Sequence, residues 1–509
     1  MKTIKKIQLM LIILFFILSP LTSLSVVSNE INDFDPLTDI QITFHLDEIR
    51  SLEKNDNQVN FKEYIDKYSD PDFFVIVIIN NVSYTSDIWR NTKYVYEPDW
   101  SVTVDVPDDK EKVDIKIQLW DWNIGPNHLC DISPDRSIFK DGYDAELTYS
   151  IKYGYWMGDD HNENNANPIK TDLSGYGRLN GCDDGSIYQH ERDCELLFSI
   201  TQNDVDNDGI PYWSEVNILH TDPLVDNRGN DDDLDLIPLE WEYKYGMELS
   251  ESRHSDSIRF EMNYDPFTYE DHASLDPDND GLTNYEEYLT SQWGSDPFRK
   301  DLFVELDEMQ DSPDGESIVL PDTSKELLRT AYNRRNIVYH LDDGCMGGSE
   351  KIPYDELSSY DELNTMYEQY FLHNDENNWR KGVFHYGLVV NEAEGAYGFV
   401  FRRDAYQISK VGMVKKVRDP FAGREDVVYA SAYMHECGHT LGIFNSNTPG
   451  CDDQEGKYPW QLDWWKWLPY KSVMNYGYMY RIVDYSDGSR GKNDFDDWER
   501  IDLTYFQTG

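Results

Sequence analysis

The stretch Met434–Asn445, MHECGHTLGIFN, decides how the C-terminal part of the chain is read. His435 and His439 are four residues apart, so on a helix they stand one above the other on the same face. Two neutral imidazoles so placed can take two corners of a tetrahedral zinc site. Glu436 then points into the adjoining space, where it can activate water. Gly442 follows where such a helix can stop, because a residue without a Cβ turns left-handed at little cost.

Around this stretch, strand and helix patterns alternate. DLFVELDEM (301–309), NIVYHLDD (336–343), VFHYGLVV (383–390) and AYGFVFRRD (396–404) read as strands. TSKELLRTAYNRR (323–335), YDELNTMYEQYFL (360–372) and REDVVYASAYMHECGHTLG (424–442) read as helices, the first opened by a capping box of Thr323 with Glu326. The expectation is an α/β (α+β) domain over 301–509 with a long helix under its sheet.

Downstream, KSVMNYGY (471–478) carries Ser-x-Met-x-Tyr. Together with His-Glu-x-x-His and Gly442 it resembles the metzincin metallopeptidases. The resemblance covers roughly 301–509 and rests on these two motifs. It implies a zinc-dependent endopeptidase with Glu436 as general base and Met474 as the hydrophobic floor under the metal. Tyr476 would bind zinc or donate a hydrogen bond to the developing oxyanion, and the AYGFVF strand would be the edge on which a peptide lies. The sequence departs from the clan at Asn445, where His, or sometimes Asp, supplies the third ligand. A neutral amide oxygen is a weaker zinc donor than imidazole or carboxylate. Three readings stay open: Asn445 ligates through its oxygen, Asp452 or Asp453 in TPGCDDQ supplies the ligand, or the site is impaired. The last would leave a calcium-dependent surface or adhesion protein with an inactive peptidase-like domain.

The middle region, 201–300, is built from Asp-rich loops. DVDNDGIPYWSE sets Asp204, Asp206 and Asp208 at positions one, three and five, Gly209 at six and Glu215 at twelve. DPDNDGLTNYEE repeats this with Asp276, Asp278, Asp280, Gly281 and Glu287. Alternating carboxylates curl round one calcium ion, Gly allows the sharp turn, and the last Glu can give two oxygens. A third copy, DDDLDLIPLEWE, has Asp231, Asp233, Asp235 and Glu242 but Leu236 at the turn, and is expected to be weakened or lost. With no clear helix in front, and with TDP or SDP behind the two complete loops, these repeats resemble thrombospondin type 3 repeats rather than paired EF-hand sensors. That resemblance implies a calcium-stiffened strut.

Before them, 37–200 reads as an antiparallel β-sandwich: FFVIVIINNVSY (73–84), WSVTVDV (100–106) and VDIKIQLWDW (113–122) are β-branched, aromatic and partly alternating. This part resembles the calcium- and lipid-binding sandwich first described in protein kinase C. The resemblance implies calcium-binding loop residues at Asp70, Asp121 and Asp131, with Asn123 where Asp is common, and with them a calcium-dependent lipid or surface contact. Residues 1–28 have a secretory signal layout, with Lys2, Lys5 and Lys6 before an apolar run from Leu9 to Leu18. Export to the extracellular space or surface would let six cysteines pair. Cys182 with Cys194 and Cys437 with Cys451 are the natural partners by proximity, leaving Cys130 with Cys345. The 97 acidic residues outnumber 45 basic ones, and a net charge of −52 rules against nucleic acid as a partner. It suits a chain that collects cations.

Overall fold

The computed structural model describes residues 40–508 apart from 54–64, 66–68, 108–110, 135–141, 160–176, 185–191 and 252–257. The signal-like segment lies outside the described residues. Among those described, no helix is long and apolar enough to cross a membrane.

The N-terminal region is a sandwich of two antiparallel sheets. One runs Tyr94–Asp105, Gln41–Ser51, Cys194–Gln202, Gly177–Asn180 in space; the other runs Val82–Thr85, Phe73–Ile79, Lys112–Asp121, Ala145–Ser150, Tyr155–Gly158. The alternation in Lys112–Asp121 explains the layering, since Val113, Ile115, Ile117 and Leu119 are all buried and meet Phe44, Phe198 and Ile79 in a shared core. The hairpin tip at Asn81 is exposed.

The C-terminal region is mixed α/β. Its sheet runs Val338–Asp342, Asp301–Met309, Phe384–Val390, Ala405–Ser409, Gly398–Arg402. The first four strands are parallel and the last is an antiparallel edge. Every residue of Asp301–Met309 is buried, as expected of a central parallel strand covered on both faces. The helices Asp322–Asn333 and Glu425–Thr440 pack together against this sheet. Two neighbouring elements escape the periodicity reading: the strand Ala405–Ser409 and the helix Lys410–Val417, which follow the edge strand without a break in composition.

Several local expectations are corrected. The helix Asp322–Asn333 has no side-chain cap, because Glu326 faces the sandwich instead and accepts hydrogen bonds from Arg50 Nη1 at 2.8 Å and the Tyr96 hydroxyl at 2.7 Å. That contact, with Arg334 Nε donating to Leu52 O at 2.6 Å and Asn333 Nδ2 to Glu195 Oε2 at 2.8 Å, ties the sandwich to the C-terminal domain. The tail around Phe495, Trp498 and Ile501 packs on the core as turns, held by Asp497, which accepts from the Tyr470 hydroxyl and from Ser486 N. In the tryptophan-rich stretch WQLDWWKW (460–467), Trp467 is buried but Trp460 and Trp465 are 69 % and 61 % exposed.

None of the six cysteines is paired. Cys437 is two residues from both His435 and His439, so it leaves the opposite face of the helix and meets the Tyr332 hydroxyl at 3.6 Å. Cys451 turns to Asp452 Oδ2, and Cys182 to Asp193 Oδ2, each at 3.6 Å. Cys194 shares a hydrogen bond with Cys130, so its neighbour is neither Cys182 nor a C-terminal residue.

Candidate metal centre and cleft

His435 and His439 lie near the end of the buried helix Glu425–Thr440. Each Nδ1–H donates to a backbone carbonyl: His435 to Val473 O at 2.8 Å, and His439 to Ile443 O at 2.6 Å. A carbonyl can only accept, so both rings carry a proton on Nδ1 and present Nε2, the atom a metal would take, to the other side. The two Nε2 atoms converge on one carboxylate: His435 lies 3.1 Å from Asp452 Oδ1, and His439 lies 3.4 Å from Asp452 Oδ2.

Asn445 takes no part in this cluster. Its Nδ2 donates to Cys451 O at 2.8 Å, so it braces the loop that carries Asp452. Asp453 is also committed elsewhere, accepting from Trp467 Nε1 at 2.6 Å and Glu455 N at 2.9 Å. Of the three residues open in the sequence, Asp452 alone meets both histidines. It does so from a left-handed backbone with φ of 56°, its N–H donating to Met474 O at 3.1 Å. Two imidazoles and a carboxylate are a donor set that zinc accepts in catalytic sites.

The electrostatics agree with a cation position. Burial disfavours charge on Asp452, yet the hydrogen bonds from His435 and His439 outweigh it and hold the carboxyl far below its usual range. Burial pulls His435 down, but Asp452 and Glu436 push it up to about 9, so protons fill the place of a positive ion. Burial raises Glu436, which is buried and lines the adjoining cleft.

Met474 lies directly beneath the helix. A Cβ on Gly438 would fall 2.7 Å from Met474 Sδ, so a larger residue there would push the floor away. The Tyr476 ring stacks on His435 with centroids 5.6 Å apart, and its phenol shares a hydrogen bond with Asp452. The cleft, about 390 Å³, runs between the edge strand and the segment after the helix, past Tyr397, Gly398, Lys457, Tyr458, Tyr476 and Tyr480. Gly398 sets its width at the carboxylate, since a Cβ there would lie 2.5 Å from Glu436 Oε1. Only the close approach of two distant segments makes Gly398 matter, and no local motif signals it.

The acidic loops are closed on themselves as their spacing predicts. Asp204 accepts from Asn207 N at 2.8 Å and Gly209 N at 2.7 Å, and Asp276 accepts from Gly281 N at 3.1 Å. Gly209 and Gly281 hold φ of 97° and 100°. Each loop leaves buried carboxylate oxygens without a hydrogen-bond partner: both of Asp206 and Oε2 of Glu215 in one, Oδ1 of Asp276, Oδ2 of Asp278 and Oε1 of Glu287 in the other. These oxygens fit a calcium ion in each loop. Asp280 Oδ2 accepts from Asp301 N at 2.7 Å, and Gln507 Nε2 donates to Gly281 O at 2.6 Å, so the second loop is anchored to the sheet domain.

In the sandwich, Asp121 is buried and accepts from Asn123 Nδ2 at 2.7 Å and Asp72 N at 3.0 Å. Asp131 accepts from Ser133 N at 3.1 Å, while Asp70 lies 3.9 Å from Lys93 Nζ. Asp121 and Asn123 are brought together; Asp70 and Asp131 have separate partners. Asp342, in the Asp-Asp-Gly stretch before Cys345, accepts from Gly344 N, Met346 N and Gly348 N as a turn.

No family model matches the chain. No curated protein matches it either. Solved structures resemble about a third of it. A C2 domain is 8 % identical over 32 % of this chain and 98 % of that one, with a TM-score of 0.18. A C2 domain protein from Ramazzottius varieornatus is 11 % identical over 32 % and 87 %, with a TM-score of 0.20. The calcium-bound pair of C2 domains of extended synaptotagmin 2 is 9 % identical over 32 % and 45 %, with a TM-score of 0.19. Likenesses this slight carry no argument about activity, and what they have in common with this chain is a C2-like β-sandwich.

Proposed function

We propose that the chain is a secreted, metzincin-like zinc endopeptidase held on a calcium-stabilised strut behind a β-sandwich. The observation that carries this reading is the convergence of His435 Nε2 and His439 Nε2 on Asp452, with Glu436 on the adjoining wall of a cleft. Zinc, when bound there, would supply a Lewis acid and lower the pKa of water. Glu436 takes the proton of the attacking water and passes it to the leaving amine, as a general base and then a general acid. Tyr476, beside His435, is placed to donate its phenolic hydrogen to the oxygen that becomes negative; burial raises its pKa, so it keeps that hydrogen at neutral pH. Among the described residues, the edge strand Gly398–Arg402 pairs with a strand on one side, so a peptide can add to the other as a further strand and run past Glu436. Trp460, stacked on Tyr458 at 4.6 Å, offers an exposed aromatic rim for its side chains.

Casein hydrolysis tests the reading. With calcium held in excess, activity is expected to vanish in a zinc-selective chelator and return with added zinc. Hydrolysis that ignores the chelator would sink it.

Calcium is assigned to the two complete loops. There, burial and then the charges of Asp208 and Asp206 push Glu215 from its ordinary 4.5 up to about 8. Folded, cation-free protein keeps that proton after the unfolded chain has lost it. The stability that this group contributes is therefore full below about pH 4.5 and is lost as pH rises towards 8. The melting temperature in chelator should drop across this window. Calcium at a hundred times its Kd should flatten the drop and add about 2.7 kcal/mol per site. A melting temperature independent of both pH and calcium would contradict the assignment.

A further inference from the structure

The third acidic loop, Asp231–Glu242, has Leu236 where its two relatives have glycine. Leu236 nevertheless holds φ of 89°, close to the 97° and 100° of Gly209 and Gly281. Asp231 closes the turn in the same way, accepting from Leu234 N at 2.7 Å and Leu236 N at 3.1 Å. A leucine in this region costs about 1–2 kcal/mol relative to its ordinary conformations. The loop therefore keeps the shape of a cation loop that the sequence alone marks as decayed.

Asp231, Asp233 and Asp235 cluster as Asp204, Asp206 and Asp208 do in the first loop, but here further side chains join them. Asp235 and Glu242 are met by Glu270 and His272 from the following segment, and donor atoms of these four lie within 4.8 Å of one another. His272 is completely buried, with Nε2 3.2 Å from Asp235 Oδ2 and 3.7 Å from Glu242 Oε1. Neither His272 Nε2, nor Glu242 Oε1, nor Glu270 Oε2 has a hydrogen-bond partner. Unpaired polar atoms buried together are costly, and these belong to side chains of a single cluster.

The other side of the imidazole completes the case. Nδ1 lies 2.9 Å from the buried carboxamide of Asn284, whose oxygen is also unpaired. With the amide turned so that its oxygen faces the ring, Nδ1–H donates to Asn284 Oδ1. Nε2 then keeps a lone pair aimed between the carboxylates, which is how a second-sphere group sets a metal-binding histidine. Tyr264 and Trp241 hold the ring edge-on at 4.9 and 6.0 Å, so it arrives pre-oriented.

We propose that this loop is a divalent-cation site of mixed character, with His272 Nε2 and the carboxylates of Asp235, Glu242 and Glu270 as ligands, and that it takes zinc in place of calcium. Calcium prefers oxygen alone, whereas imidazole favours zinc and its neighbours. The ion ties Asp231–Glu242 to the segment that leads into the next calcium loop. The inference stands apart from the peptidase reading, since it uses none of the same residues.

The test is elemental analysis of the full chain, equilibrated with micromolar zinc in millimolar calcium. Wild type should hold two zinc ions, His272→Gln one, and the His435→Ala/His439→Ala double variant one. One zinc in wild type and none in His272→Gln would support this site while removing the centre at His435. Equal zinc in wild type and His272→Gln would overturn the proposal, as would a third calcium in place of zinc in wild type. Because His272 is a core residue, Glu270→Gln is the second probe. It leaves the ring packing intact and, as the loss of a direct ligand, should weaken zinc at this site about 100-fold or more. Unchanged affinity would overturn the proposal as well.

Discussion

Asp452→Ala is expected to strip zinc from the His435 centre and with it all measurable hydrolysis, while Asn445→Ala binds zinc more weakly but, with zinc in excess, still holds it and still turns over. Asp452 is the carboxylate that both imidazoles face, at 3.1 and 3.4 Å, so its removal leaves a two-ligand site. Asn445 touches the backbone of that loop through Cys451 O and acts on the metal through Asp452. Loss of such an outer contact costs about 10–100-fold in metal affinity, and loss of a direct ligand costs more. Elemental analysis after dialysis, with casein hydrolysis on the same samples, separates the two variants. If Asn445→Ala loses zinc and Asp452→Ala keeps it, the assignment is reversed.

Glu436→Gln is expected to lower kcat by about 10²–10⁴-fold, the usual worth of a positioned general base, with zinc content unchanged. Glutamine is nearly isosteric with glutamate, so it preserves the contact with Gly398 at the mouth of the edge strand and cannot take a proton. Because the lost interaction belongs to the transition state, kcat and kcat/KM should fall together, with KM little altered. A variant that loses zinc, or that turns over normally, would show that Glu436 has a different task.

Much of this arrangement is legible in the residues, and the exceptions have physical causes. His435, Glu436, Met474 and Tyr476 lie in motifs whose spacing is local: a four-residue step on a helix and a tight turn. The strands Asp301–Met309 and Phe384–Val390 announce themselves by their β-branched, aromatic and leucine residues, although Asp301, Glu305, Asp307 and Glu308 interrupt the first and are buried with it. Asp452 stays ambiguous in the sequence because its direction comes from a left-handed backbone and a contact with Met474 O, and no periodicity encodes either. Glu326 reads as a helix cap until Arg50, far away in sequence, claims its carboxylate. Cysteine spacing misleads for the same reason: Cys437 and Cys451 are near in sequence, but the helix turns Cys437 towards Tyr332 and away from the loop. Leu236 hides a turn with φ of 89°, because leucine does not signal the left-handed backbone that glycine would.

Anomalous diffraction at the zinc edge from crystals of the full chain tests the central claim most directly. The expected result is a peak about 2.0–2.2 Å from His435 Nε2, His439 Nε2 and a carboxylate oxygen of Asp452, the bond lengths usual for zinc. A peak coordinated by Asn445, or no peak between the two histidines at full zinc loading, would contradict it.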